Sequence, residues 1–292
     1  MKKIITMLLS LAMVITMMPA MAITAFAGEG TGTLADLQNI VDKAGNGSTI
    51  VLEKDYAPTS EGEHSLIWLK NNENISKSIT IDLNGHSIKS NSYCFWIESE
   101  QKEYPATLTL IDSKGTGFLQ NIADDPSSDV VNIETNGCFI AKGILFKGNS
   151  NSASTFYTIS SAAETEIAIE DCSILGGDVG IYNVGSAVIS NTKITNTKTA
   201  IKNVGPYLIL ENSTITGNTD GVSNENDLTQ NGDVEGVVAI SDTQITNNEY
   251  GFVNEGKAYL GGSTRIVDNS KGNLCLTKRS TFYPEGCGIK DQ

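Results

Sequence analysis

IAIEDCSI (Ile167–Ile174), AVISNTKI (Ala187–Ile194), LILENSTI (Leu208–Ile215) and VAISDTQI (Val238–Ile245) say nearly the same thing four times, and AYLGGSTRI (Ala258–Ile266) says it again less regularly. Each copy sets apolar positions around one residue, then a polar trio, then an isoleucine. A turn, a second short apolar run and an asparagine corner follow. The intervals from Ile169 through Ile189, Leu210 and Ile240 to Leu260 are 20, 21, 30 and 20 residues. A unit that short cannot bury its apolar side alone and must stack on its neighbours, so the stretch reads as a solenoid. The apolar positions alternate with period 2, which excludes helical repeats.

Columns emerge when the copies are superposed. Ile174, Ile194, Ile215, Ile245 and Ile266 form one; Ile181, Ile201, Val222 and Phe252 form another. Both are β-branched or aromatic and suit a pleated, stacked surface. A small polar column is expected at Cys172, Thr192, Ser213, Thr243 and Ser263, and a corner column at Asn183, Asn203, Asn224 and Asn254. Stacked amides can bond along a ladder, whereas a buried amide without partners costs about 1–3 kcal/mol.

These columns, with ITIDLNGHSI (Ile79–Ile88), resemble the right-handed parallel β-helix family, the pectate-lyase-like fold, over roughly residues 47–276. The resemblance implies an all-β, single-stranded solenoid. Taking Leu52, Ile81, Leu110, Ile140, Ile169, Ile189, Leu210, Ile240 and Leu260 as equivalent predicts about nine rungs. At about 4.8 Å per rung the rod is near 40 Å long. The longer intervals are read as a 20-residue unit plus an excursion, and loops are where solenoids carry function. Upstream, TLADLQNIVDKA (Thr33–Ala44) places Leu34, Leu37, Ile40 and Val41 on one helical face, which fits a cap over the open strand edge.

The first 27 residues carry Lys2 and Lys3, an apolar run Ile4–Thr16 and Ala25-Phe26-Ala27 before Gly28. That is the layout of a secretory signal peptide. The expected organisation is therefore a leader (1–27), a linker with the capping helix (28–46), the β-helix (47–276) and a tail (277–292). The product is expected to be secreted or displayed at the cell surface, monomeric and not inserted in a membrane. The formal charge is -14 and becomes -16 without Lys2 and Lys3, an acidity that repels nucleic acid. Five cysteines occur, of which Cys275 and Cys287 are spaced to staple the tail.

Chemistry is less legible. Asn218-Thr219-Asp220-Gly221 matches the NTDG string of polygalacturonases, but the DD, GHG and RIK strings of that family do not follow, and His64 and His86 lie upstream. Asp220 is thus a weak catalytic candidate, with a turn role as the alternative. Polysaccharide lyases of this fold pair carboxylate-bound calcium with an Arg or Lys base; Arg265 and Arg279 have no flanking acid cluster. Glu225 and Glu255 fall in one column on adjacent rungs, about 5 Å apart, with Asp227, Asp233 and Glu235 in the loop between them. Hard oxygen ligands suit calcium, and a carboxylate pair suits acid–base work; a solvated turn is the alternative. Trp68, Tyr93, Trp96 and Tyr104 form an aromatic set that would suit sugar rings, with packing beneath loops as the alternative.

The favoured expectation is a non-catalytic scaffold that binds glycans or cell-envelope material and needs no cofactor other than calcium. The competing expectations are a polysaccharide lyase or glycoside hydrolase and a structural spacer.

Overall fold

The computed structural model describes residues 22–24, 30–59, 66–72, 75–123, 129–149, 157–226, 234–284 and 288–289. Its chain coils into a parallel β-helix of three sheets with eleven, nine and nine strands. From Ile67 on, each turn contributes one strand to each sheet, and Ala22–Thr24 and Ser48–Val51 extend the first. In the regular half, Glu166–Glu170 belongs to the first sheet, Ser173–Leu175 to the second and Val179–Asn183 to the third.

The predicted columns are in register. Ile174, Ile194, Ile215, Ile245 and Ile266 stack in the second sheet, and Ile181, Ile201, Val222 and Phe252 in the third. All nine are fully buried. At about 25 cal/mol per Å² of apolar surface removed from water, such columns dominate the stability of the rod.

The corners explain the polar trio. Asp171, Asn191, Asn212 and Asp242 occupy the left-handed backbone region, with φ from 49° to 55°, which asparagine and aspartate tolerate best among residues bearing a Cβ. The next residue turns inward: the Thr192, Ser213 and Thr243 hydroxyls each donate to the carbonyl two residues back. The last member of that column is Thr264, not Ser263. The copy beginning at Ala258 has one extra residue, so Thr264 is buried and Ser263 turns out to bond Asp242.

At the corner between the third and first sheets, Asn183, Asn203, Asn224 and Asn254 form the predicted ladder, with amide-to-amide distances of 2.7, 2.8 and 2.7 Å. A second ladder was not foreseen. Thr197, Asn218, Asn248, Asn269 and Asn273 bond in series at 2.8 to 3.0 Å where the second sheet passes to the third. Its signal lay three residues after the isoleucine column.

Two of the nine rung positions need correcting. Ile50, not Leu52, pairs with Ile81, and Ala141, not Ile140, pairs with Leu110 and Ile169. The second slip reverses facing, because successive strand residues point to opposite sides. Phe139 and Ala141 therefore point inward, a large and a small residue filling one rung.

Helix α1 (Leu34–Lys43) begins with a reciprocal capping box between Thr33 and Asp36 and buries Leu34, Leu37 and Val41. Of residues 1–27, only Ala22–Thr24 is described, and its backbone pairs with Thr49–Val51. At the other end the ladder passes Leu276: Thr281–Pro284 pairs with Lys257–Leu260, and Gly288–Ile289 with Arg265–Ile266. No described helix is long and apolar enough to cross a membrane.

Candidate functional site

The outer face of the third sheet gathers most of the residues singled out from sequence. One outward row runs in register from Trp68 through Trp96, Asn132, Ser160, Tyr182, Lys202 and Ser223 to Val253. The residues beside the row are buried on the inner side, as pleating requires.

Trp68 is 44% exposed and lies on the edge strand Ile67–Asn71. Its neighbour Trp96 is half-buried, donates its indole N–H to Glu98 at 3.1 Å, and meets Tyr93 edge to face with centroids 4.9 Å apart. Tyr104 does not join them. Its carbonyl accepts bonds from Asn71 and Ser99, each at 2.6 Å, at the corner beyond strand Phe95–Ser99. A cleft of about 540 Å³ opens beside Trp68, lined by Ala35, Gln38, Asp42, Leu66, Lys70 and Lys77.

Further along, Tyr157 and Tyr182 stack with centroids 4.6 Å apart and ring planes 14° from parallel. Between the two aromatic pairs lies Asp129, whose Oδ1 accepts the Tyr157 backbone N–H at 3.0 Å. Burial raises its carboxyl to about 7, helped by the nearby Glu134 and opposed by the Tyr157 hydrogen bond. Neither Asp129 nor the tyrosine stack was foreseen. Asp129 and Tyr157 fall on rungs whose excursions break the 20-residue spacing.

Asp220 opens strand Asp220–Asn224 and is half-buried, while Asn218 belongs to the buried ladder. The turn reading thus holds for Asn218 and Thr219, which lie in the bend after strand Thr214–Thr216, whereas Asp220 is the first residue of the strand that follows. Partial burial raises the Asp220 carboxyl, with Glu249 and Glu225 acting in the same direction and the Thr199 hydroxyl and Lys271 against them.

Glu225 and Glu255 are equivalent residues of adjacent rungs, since Asn224 and Asn254 pair. The Glu225 carboxylate is held by Lys202 at 3.0 Å and Ser223 at 3.0 Å, on the side away from the Glu255 rung. Glu255 is exposed and Glu235 lies at the return of the excursion. Asn224 donates to the Gly236 carbonyl at 2.8 Å and closes the base of that loop. Asp227 and Asp233 lie outside the described residues, as do His64 and Cys287. Among the described residues no three His, Cys, Asp or Glu side chains converge as metal ligands, so a calcium site would need Asp227 and Asp233. Cys94, Cys138, Cys172 and Cys275 are free thiols.

Neither a protein-family model nor a curated protein sequence matches the chain. Solved structures do. A PL6 family alginate lyase, AlyGC, superposes with a TM-score of 0.59 at 12% identity, covering 93% of this chain and 39% of that protein. The ORF18 protein of Geobacillus virus E2 superposes with a TM-score of 0.53 at 12% identity, covering 96% of this chain and 63% of that one. At such identities the likeness is one of fold, and the chain spans well under half of the lyase.

Proposed function

We propose that the protein binds polysaccharide along the outer face of the third sheet, as a secreted or surface-displayed β-helix. The observation that carries this reading is the outward row beginning at Trp68 and Trp96 and joined by Tyr93, Tyr157 and Tyr182. These aromatic rings are distributed along the rod axis on one face. Aromatic rings offer sugar rings a broad apolar face, and the adjoining amides and carboxyls supply polar edges. A rise of about 4.8 Å per rung is commensurate with successive sugar units of an extended chain. Secretion is supported by the leader-like residues 1–27.

A second reading, cleavage of the bound chain, is favoured by Asp220, a half-buried carboxyl with a raised pKa beside Glu249, Glu225 and Lys271. General acids are made in this way. The test is incubation of the mature protein with soluble polysaccharides, with calcium and then with chelator. Retardation of the protein in polysaccharide-containing gels without shortening of the chains supports binding. Shortened chains, abolished by Asp220→Asn, support cleavage. Neither effect would leave a structural spacer.

A further inference from the structure

Tyr93, Asp129 and Tyr157 each stand two residues before Phe95, Val131 and Ile159, which pair in register on three successive rungs, and each keeps part of its surface exposed. Trp96 stands against Tyr93 at 4.9 Å, and Tyr182 against Tyr157 at 4.6 Å. A carboxyl is therefore flanked along the rod by two aromatic pairs. Asn132, three residues after Asp129 on strand Val131–Ile133, donates to Glu134 at 3.0 Å.

The charge of the face points to the ligand. Its ammonium groups already hold carboxylates: Lys70 binds Glu100 at 2.9 Å and Glu98 at 3.6 Å, Lys198 binds Asp178, Lys202 binds Glu225 and Lys271 binds Glu249. Glu134 and Asp220 add acidic groups beyond those pairs. A uronate chain would lay negative charges along this face, where Lys70, Lys198, Lys202 and Lys271 are reached only by breaking these pairs. Like charges in partly buried surroundings repel strongly. A neutral sugar meets no such cost, and its hydroxyls can bond a carboxyl that keeps its proton near neutrality.

We infer that the ligand is an uncharged polysaccharide, gripped at a subsite where the Asp129 carboxyl lies between the Tyr93–Trp96 and Tyr157–Tyr182 ring pairs. The inference rests on the binding role proposed above and names its substrate class and central subsite. Stacking on the rings orients a sugar, and Asp129 fixes it by a hydrogen bond to a ring hydroxyl. The Tyr157 N–H occupies one side of Oδ1 and orients the carboxyl without occupying Oδ2.

The experiment is affinity electrophoresis and calorimetry of the full chain at physiological salt. The neutral probes are barley β-glucan, galactomannan and xyloglucan; the acidic probes are polygalacturonate and alginate. At least one neutral polymer is expected to bind, and both polyuronates to bind at least about tenfold more weakly. Trp96→Ala and Tyr182→Ala should each weaken the neutral complex about tenfold. Asp129→Ala should weaken it too, with binding restored by Asp129→Asn, which keeps the hydrogen-bonding edge. Tyr259→Ala, on the first sheet, should change nothing. Thermal melts of each variant identify any that fail to fold, and the polymer panel itself needs no variant. Tighter binding of a polyuronate, or neutral binding indifferent to both Trp96→Ala and Tyr182→Ala, overturns the inference and leaves polysaccharide binding standing. No binding of any polymer overturns both.

Discussion

One side chain closes the open edge of the third sheet: Gln38 Oε1 accepts the Trp68 N–H at 2.6 Å, and Gln38 Nε2 donates to the Trp68 carbonyl at 3.1 Å. The amide takes the place of a further strand. Helix α1 thus supplies a polar cap as well as an apolar one, and it does so at the first residue of the aromatic row. An uncovered strand edge would invite pairing with another chain.

Gln38→Ala should cost about 1–3 kcal/mol, since two hydrogen bonds worth about 0.5–1.5 kcal/mol each are lost. Hydrogen exchange should accelerate at the Trp68 amide while amides of the Ile194–Ile215 region keep their protection. Unchanged exchange at Trp68 would mean that Gln38 does not cap this edge.

Asn203 lies in the middle of the ladder, accepting from Asn183 and donating to Asn224 and the Gly205 carbonyl. Asn203→Ala takes the amide donor from the buried Asn224 Oδ1 and one of three acceptors from Asn183 Nδ2. A loss of about 2–4 kcal/mol in denaturant unfolding is expected, from unsatisfied groups at about 1–3 kcal/mol each. A loss below that of an ordinary surface substitution would show the ladder to be dispensable.

Ile215 is fully buried at the centre of its column. Ile215→Ala should cost about 2–5 kcal/mol through lost transfer energy and the cavity left behind. Lys193→Ala, at an exposed position of the preceding strand, should stay within about 0.5 kcal/mol. Equal effects of the two substitutions would contradict the facing of the second sheet.

Asp129 gives the stability a definite pH dependence. Its folded carboxyl is raised to about 7 by burial, above an unfolded value near 3.9. The unfolded chain therefore releases this proton first, and the contribution falls as pH rises from about 4 to about 7, then levels off. Asp129→Asn removes that loss. The difference in melting temperature between the variant and the natural chain should be smallest near pH 4 and grow in favour of asparagine towards neutrality. A difference independent of pH would count against the raised carboxyl.

Burial raises the thiols of Cys94 and Cys172 to about 12 and that of Cys138 to about 11. The thiolate is the reactive form, so iodoacetamide at mildly alkaline pH should leave Cys94 and Cys172 unmodified in the native protein. Both should be alkylated after denaturation. Peptide mapping reads the result, and rapid native labelling of Cys172 would argue that its rung opens.

The sequence alone determined the β-helix, the isoleucine and asparagine columns and the capping helix. Each is written as a period, and a residue that repeats every 20 positions must meet its copy on the next rung. The second asparagine ladder was equally legible, three residues beyond Ile215, Ile245 and Ile266. The tertiary structure alone decided the register where excursions interrupt the period: at Ile50, where the slip was two residues, and at Ala141, where a slip of one exchanges inside for outside. It also decided the site. Tyr93, Asp129, Tyr157 and Tyr182 are separated by 36, 28 and 25 residues, intervals that match no common repeat. They come onto successive rungs because the paired strands on either side of those intervals stay in register.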